Sequence, residues 1–214
     1  MRNQSGFSEN SPLSGNIEDV LDATKACIAH SGFVHTHMGD IAKGASMSRA
    51  TLYRRFENKE QIFAALLRRE AASFVDRARA IAARSESVLS RVEAILFVAL
   101  AEIAGHDWLA GELSKGPDTR VMAILNPADQ EAAGYALLPL LEEGVMAGEV
   151  RDSLPLSELV AWIFRQLLSI AAMPLGQADK ELRVQVLVMP ALRANGSEPA
   201  DGLTQNLCPG PPAR

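Results

Sequence analysis

The sequence predicts an all-α fold in which three short N-terminal helices lead into a long helix and then into a larger helical body. Apolar residues recur at three- and four-residue intervals along most of the chain, as they do on one face of a helix. Asn and Ser residues, which favour helix N-termini, precede several of these stretches. The segment 182–192 alternates briefly like a strand, but no neighbouring segment could pair with it, so we expect a helix there despite Pro190.

Capping residues define the expected helix boundaries. Asn16 and Ser48 precede the first and third helices, and Thr36 stands at the entry of the second. Asn58 caps the long fourth helix, with Gln61 three residues later as in a capping box. The second half of that helix has fewer large apolar residues and is expected to be a partly solvated connector. The expected helices are 16–32, 38–45, 48–54, 58–83, 88–103, 108–113, 126–146 and 156–171.

Composition limits the possible classes of protein. The chain has 214 residues, of which 48% are hydrophobic, enough for a sizeable core. Its formal net charge of −5 argues against non-specific coating of nucleic acid. Two cysteines give no disulfide or metal framework, and Cys27 is expected to be a small core residue. We find no signal peptide, and the apolar stretch 159–175 contains Arg165 and Gln166, so we expect a cytoplasmic protein without a membrane span.

Positive charge is concentrated in one short segment. Two short helices joined by small residues, with an exposed polar face on the second, are typical of a helix-turn-helix that enters the major groove of DNA. An acidic protein with a single basic patch suits docking of one face on phosphate. From Ile41 to Phe56 the charged residues are Lys43, Arg49, Arg54 and Arg55, with no acid among them.

The third helix is expected to meet the bases. Its first turn is where base edges are normally contacted, and Arg49 is the one side chain there able to form two hydrogen bonds to guanine. Surrounding hydroxyl and cationic side chains suit phosphate, and Lys59 adds charge at a helix N-terminus. The candidate DNA-binding residues are Thr36, Lys43, Ser46, Ser48, Arg49, Ala50, Thr51, Tyr53, Arg54, Arg55 and Lys59.

Residues 32–63 carry a dense motif: Gly32-Phe33, Thr36, Asp40-Ile41-Ala42, Ala45, Ser48, Thr51-Leu52-Tyr53, Phe56 and Lys59-Glu60. In this order and spacing they resemble the N-terminal region of the tetracycline-repressor (TetR) family of bacterial transcriptional regulators. The resemblance implies contacts of Tyr53 and Lys59 with the DNA backbone. Ser46 and Ala50 stand where the family often has Gly, and Arg55 where it frequently has His, which leaves the operator sequence open. Ser46 strains the turn if its backbone is left-handed.

The resemblance also implies a homodimer built on the last two large helices. The sequence supports this independently, because Glu158 and Arg165 are the only charged residues between Leu156 and Met173, and a helix apolar nearly all round is buried on several sides. A helix internal to a monomer is the alternative. The candidate dimer residues are Leu156, Leu159, Val160, Ile163, Phe164, Leu167, Leu168, Leu182 and Val186.

The resemblance further implies a ligand cavity among the helices of 88–146, bounded by the dimer helix. Met and aromatic side chains suit a deformable apolar pocket, although any one of them could instead be core packing. We therefore expect a mainly apolar ligand and no cofactor. The candidate lining residues are Phe97, Leu100, Trp108, Met122, Leu138, Glu142, Met146, Trp162 and Gln166, with His106 as a further polar residue that could orient a ligand.

These inferences give an expected organisation and function. Residues 1–15 and 195–214 are expected to be disordered, 16–60 to bind DNA, and 61–194 to bind ligand and dimerise. We expect a transcriptional regulator, as a repressor that a small molecule releases from a palindromic operator; the sequence does not separate it from an activator. The alternative is a small-molecule-binding or sequestering helical protein with a vestigial helix-turn-helix. No catalytic motif suggests an enzyme, and His35-X-His37 with Asp40 is too sparse to predict a metal site.

Overall fold

A computed structural model describes residues 16–114 and 137–194. Within these ranges all regular secondary structure is helical, apart from one isolated antiparallel bridge between Val150 and Arg193, so the predicted all-α fold is confirmed. The arm 1–15, the tail 195–214, Met122 and the expected helix start at Asn126 lie outside the described residues.

The helices follow the predicted order, and the described boundaries agree to within two residues except for the last helical segment, which begins at Gln177 instead of 182. We refer to α1–α3 as the head and to the helices from α5 onward as the body. The helices are α1 Ile17–Ser31, α2 Met38–Gly44, α3 Arg49–Arg55, α4 Lys59–Ala82, α5 Val88–Gly105, α6 Asp107–Ser114, α7 137–146, α8 Leu156–Ala172, α9 Gln177–Arg183 and α10 Met189–Leu192, with a π-helical segment Val184–Val188 between the last two.

Local hydrogen bonds explain where the helices of the head begin. The Ser48 hydroxyl accepts from the Thr51 N–H at 3.1 Å, and the Asn58 side chain accepts from the Gln61 N–H at 2.9 Å, so both predicted N-caps are confirmed. The expected reciprocal bond of the capping box is displaced by one residue, because Gln61 accepts from the backbone N–H of Glu57 at 3.0 Å.

The entry of α2 differs from the prediction. The residue that precedes this helix is His37, whose N–H donates to Asp40 at 3.3 Å. Thr36 is only 2% exposed, and its hydroxyl donates to the Gly32 carbonyl at 2.8 Å. Thr36 therefore stabilises the turn after α1, and the expectation that its hydroxyl caps α2 and contacts phosphate is corrected.

Lys59 holds the same turn from the first residue of α4. Its ammonium group donates to the carbonyls of Phe33, Val34 and Thr36 at 2.7, 3.0 and 3.0 Å, and lies 4.5 Å from the centre of the Phe33 ring. An ammonium group has three N–H donors, so these carbonyls engage all of them. In the DNA-free chain Lys59 therefore acts as a clamp between head and α4, and its contact with the DNA backbone stays a prediction.

Phe33 also joins the head to α6. Its backbone N–H donates to the buried Glu112 carboxylate at 3.1 Å. Its ring lies 4.9 Å from that of Phe63, which in turn contacts Trp108 edge-on at 5.8 Å. The Phe33 junction, defined by these residues and Lys59, thus connects the α1–α2 turn with α4 and α6.

The second half of α4 is more buried than the sequence suggested. Ala78 is fully buried and Ile81 is 5% exposed, while Ala71 and Phe74 are half-buried. Together with Leu67 these residues form an apolar stripe at helical spacing, directed at α5. The expected solvated connector is therefore a packed wall of the body.

The last helical segment confirms the helical interpretation of 182–192 and shows how it accommodates proline. The N–H of Met189 donates to the carbonyl of Val184, five residues back, instead of four. Proline lacks an N–H and clashes with the preceding helical turn, and a π-helical turn relieves both constraints. Pro190 stands at the start of the short α10.

We expect Lys59→Met to lower the free energy of unfolding by about 2–3 kcal/mol, because the side chain still covers Phe33 but no longer satisfies its three carbonyls. Urea denaturation of the full chain measures this. Lys43→Met removes an equally basic but exposed side chain and should change stability by less than about 0.5 kcal/mol. Equal effects of the two substitutions would contradict the clamp.

Candidate nucleic-acid interface and ligand cavity

The polar face of α3 is free to contact DNA. Leu52 is fully buried and anchors the helix, whereas Tyr53 is 54% exposed. Thr51 is half-buried and bonds to Ser48 through its hydroxyl at 2.9 Å. The exposed members of the predicted DNA-binding set are Lys43, Ser46, Ser48, Arg49, Ala50, Tyr53, Arg54 and Arg55.

The turn between α2 and α3 adopts a left-handed conformation at Ser46, with φ of 53°. A left-handed backbone is strained for a residue with a Cβ atom. The strain expected for a left-handed Ser46 is therefore present in this turn. The neighbouring Ala45 and Met47 are buried, so the turn is fixed by the core on both sides of Ser46.

Arg49, the predicted base-reading side chain, lies across α2. A Cβ atom at Gly39 would fall 2.5 Å from a guanidinium nitrogen of Arg49, so the guanidinium group lies close against the backbone of α2. The side chain remains exposed. To reach a base edge it must swing away from α2.

A cavity of about 110 Å³ lies between α4, α5, α6, α7 and α8. Its wall is apolar except for Glu70, Glu102 and His106. Its lining residues are Leu67, Glu70, Ala71, Phe74, Ile95, Leu96, Ala99, Glu102, Ile103, His106, Leu109, Leu137, Ile163, Phe164, Leu167 and Leu168.

The lining differs from the predicted set, although His106 belongs to it. Trp108 points into the Phe33 junction instead, and Met146 is 83% exposed. Leu100 is buried in the core and Glu142 is exposed. Among the remaining candidates, the half-buried ones beside the core or on α8 are Phe97, Leu138, Trp162 and Gln166.

The residues expected to form the dimer face do not lie together on one surface. Leu159 and Val160 are buried within the chain itself, since α8 packs on α5 and α6. Four other candidates face the cavity: Ile163, Phe164, Leu167 and Leu168. Leu156 is half-buried. Leu182 and Val186 remain exposed, at 54% and 57%, as a surface available to a partner.

The polar end of the cavity is built from α4, α5 and His106. His106 Nδ1 lies 3.3 Å from a Glu70 oxygen, and Nε2 lies 3.4 Å from a Glu102 oxygen. The Nε2 atom is buried and has no hydrogen-bond partner of suitable geometry. Glu102 also pairs with Arg77 and accepts from the Ser73 hydroxyl at 3.3 Å.

Glu70 links this end of the cavity to the head. It accepts from Lys25 of α1 at 2.8 Å and from Arg69 at 2.8 and 3.1 Å. Arg69 in turn donates to Glu18 and Asp22 of α1 at 3.0 and 2.8 Å. Partial burial alone would raise the pKa of Glu70, but the hydrogen bonds from Lys25 and Arg69 outweigh it and hold that pKa below its ordinary value.

Sequence reasoning missed the contribution of α4 to the cavity. The signal was the spacing of Leu67, Ala71 and Phe74, which places them on one face of the helix although alanine is a weak apolar marker. Glu70 lies beside that stripe. Nothing in the local sequence distinguishes it from an exposed glutamate, because its partners other than the adjacent Arg69 come from α1 and from His106.

Neither a metal-binding cluster nor a membrane-spanning helix is found within the described ranges. No three His, Cys, Asp or Glu side chains among these residues are grouped as a metal site, and His35, His37 and Asp40 are no exception. In the same part of the chain, no helix has the length and apolar character needed to cross a membrane.

Fold and site together define a helix-turn-helix DNA-binding protein of the transcriptional-regulator class. Residues 20–66 match the family model described as bacterial regulatory proteins, tetR family. The head and the start of α4 are thus similar to the TetR family, as the N-terminal motif indicated.

Two relatives are each 25% identical to the chain. One is the HTH-type transcriptional repressor AcnR of Corynebacterium diphtheriae, matched over 161 residues that cover 72% of this chain and 78% of that protein. The other is the fatty acid metabolism regulator protein of Bacillus subtilis, matched over 143 residues that cover 63% and 71% respectively. The chain is thus a DNA-binding transcriptional regulator, and the alternative of a sequestering protein with a vestigial helix-turn-helix finds no support.

The fold is shared with the solved structure of Thermus thermophilus FadR, a TetR-family transcriptional repressor in complex with lauroyl-CoA. The TM-score is 0.62 at 20% sequence identity, and the match covers 87% of this chain and 100% of that one. The similarity extends through head and body.

We expect Ser46→Gly to raise the free energy of unfolding by about 0.5–1 kcal/mol, because glycine adopts the left-handed turn without a Cβ clash. Thermal or urea denaturation measures the change. Ser48→Gly, two residues on, alters a helix cap and should lower stability by a few tenths of a kcal/mol. Destabilisation by Ser46→Gly would show that the turn is unstrained.

We expect Glu70→Gln to lower the free energy of unfolding by about 1–2 kcal/mol at pH 7 through weaker bonds to Lys25 and Arg69. Since the folded-state pKa of Glu70 is lowered, its contribution is present above the unfolded-state pKa and is lost as pH falls through the folded value. The difference in free energy of unfolding between the wild type and the variant should therefore disappear below about pH 4.5. A gap that is constant in urea titrations from pH 7 to pH 3 would exclude an ionic contribution.

Proposed function

We propose that the protein is a dimeric repressor that binds a palindromic operator and is released when a small, mainly apolar molecule enters the body cavity. The observation that carries this proposal is an exposed, acid-free reading face joined by packed helices to an apolar cavity. Residues 16–60 act as the DNA-binding domain and 61–194 as the ligand-binding and dimerisation domain. Its operator is genomic, which places its action in the cytoplasm.

Dimerisation is supported by exposed apolar residues near the C-terminal end of the body. Leu182, Val186 and Leu187 are 54%, 57% and 60% exposed, on α9 and the π-helical segment. Large apolar side chains clustered in this way favour contact with a second copy. A two-fold pair of heads reads a palindrome, whereas one short α3 helix reads too few bases for specificity.

The route from cavity to head is short. His106, which directly precedes α6, and Leu109 of α6 face the cavity, while Trp108 and Glu112 of α6 contact the Phe33 junction at the other side. A ligand that displaces α6 alters the support of the α1–α2 turn and hence the position of α3. Lowering operator affinity a hundredfold requires only about 2.7 kcal/mol of differential ligand binding between the two states.

Selection of bound fragments from randomised DNA at near-physiological salt tests the proposal. We expect a palindromic consensus and a complex of two chains per site. Arg49→Ala should relax preference at one position of each half-site, by about 1–3 kcal/mol of lost discrimination. Tyr53→Phe should weaken binding to all sequences alike, because it removes a phosphate contact.

Arg84→Ala serves as the control, since this exposed arginine follows α4 at a distance in sequence from the basic segment. It should leave both consensus and affinity unchanged. A consensus unaltered by Arg49→Ala would refute its base-reading role. Weak, steeply salt-dependent binding without any consensus would refute the operator proposal itself.

A further inference from the structure

We propose that the effector is a small, uncharged molecule with an apolar body and a hydroxyl group that donates to the polar end of the cavity, formed by Glu70, Glu102 and His106. This inference rests on the proposed function, because it takes the cavity as the effector site. It adds the chemical class of the ligand.

The polar end has more acceptors than donors facing the cavity. A neutral imidazole carries one N–H and one lone pair, yet His106 stands between two carboxylates, 3.3 Å from Glu70 and 3.4 Å from Glu102. The buried Nε2 atom has no hydrogen-bond partner of suitable geometry, although a Glu102 oxygen lies 3.4 Å away. A hydroxyl group placed at this end supplies the missing donor.

The charges around the same end disfavour an ionic ligand. A ligand carboxylate would add a negative charge beside Glu70 and Glu102, and the cations Lys25, Arg69 and Arg77 are already paired with these two residues. A cationic ligand would find the same carboxylates neutralised by those pairs. A neutral donor meets neither difficulty, since it needs only a lone pair to accept its proton.

The volume limits the apolar body. The cavity measures about 110 Å³, and a dry apolar cavity of about 150 Å³ holds one benzene molecule. Phe74, Ile95, Leu167 and Leu168 supply the apolar wall against which a ring would pack. One aromatic ring or a short branched chain fits this space.

Calorimetric titration of the full-length protein with phenol, toluene and benzoate tests the proposal, because the three probes share a ring and differ in one substituent. We expect phenol to bind about ten-fold or more tightly than either of the others, as one hydrogen bond to a charged group provides. Glu102→Gln and, separately, His106→Leu should reduce this preference for phenol over toluene to less than about threefold. Glu93→Gln, on the same helix but outside the lining, should leave it intact.

Equal affinity for phenol and toluene would overturn the inference, and so would tighter binding of benzoate or lauroyl-CoA than of phenol. Operator binding with each probe present separates this result from the release mechanism. Phenol that binds with the expected preference but leaves the operator complex intact supports the ligand class and refutes ligand-induced release. Release by lauroyl-CoA without a phenol preference supports release and overturns the ligand class.

Discussion

The ammonium group of Lys59 satisfies three carbonyls of one short turn, and the position of the head depends on that turn. Phe33, Val34 and Thr36 present their carbonyls to one side because the chain reverses there after α1. A single ammonium group from α4 can donate one hydrogen bond to each of the three carbonyls, whereas a hydroxyl or amide side chain has fewer donors. The N–H of Phe33 donates to Glu112 of α6. The backbone of this turn is therefore held both by the first residue of α4 and by the body.

Helix α4 belongs structurally to both parts of the molecule. Ile62, Phe63 and Leu66 are fully buried against the head, and the stripe from Leu67 to Ile81 continues along the body. Glu70 lies where α4 passes from the head to the body, and it contacts Lys25 of α1 on one side and His106 on the other. Because close-packed interiors transmit strain, α4 is the element through which a change at the cavity wall would reach the head in the proposed release mechanism.

Local chemistry made the helices of the head predictable, because Asn16, Ser48 and Asn58 specify helix starts over three or four residues. It could not reveal that Lys59 and Thr36 point inwards, since their partners are carbonyls that a turn brings into position. The apolar character of α8 indicated burial on several sides but not by what, and much of its predicted dimer face lines the cavity. Which residues line the cavity depends on how five helices pack together. Trp108 and Met146 have residue types that suit a pocket, yet Trp108 packs on Phe63 and Met146 is exposed.

The inward position of Lys59 also bears on how the head responds to ions in solution. Exposed cations of the head that suit phosphate are Lys43, Arg54 and Arg55. Each phosphate that a cation neutralises releases condensed counterions from the duplex, so the logarithm of the binding constant falls with the logarithm of salt concentration with a slope of about −2.7 for three such contacts. Lys59 is half-buried and already donates to three carbonyls of the turn, so its charge serves the folding of the head. Ionic strength thus acts on DNA binding through the exposed basic side chains, whatever contacts they make within the head.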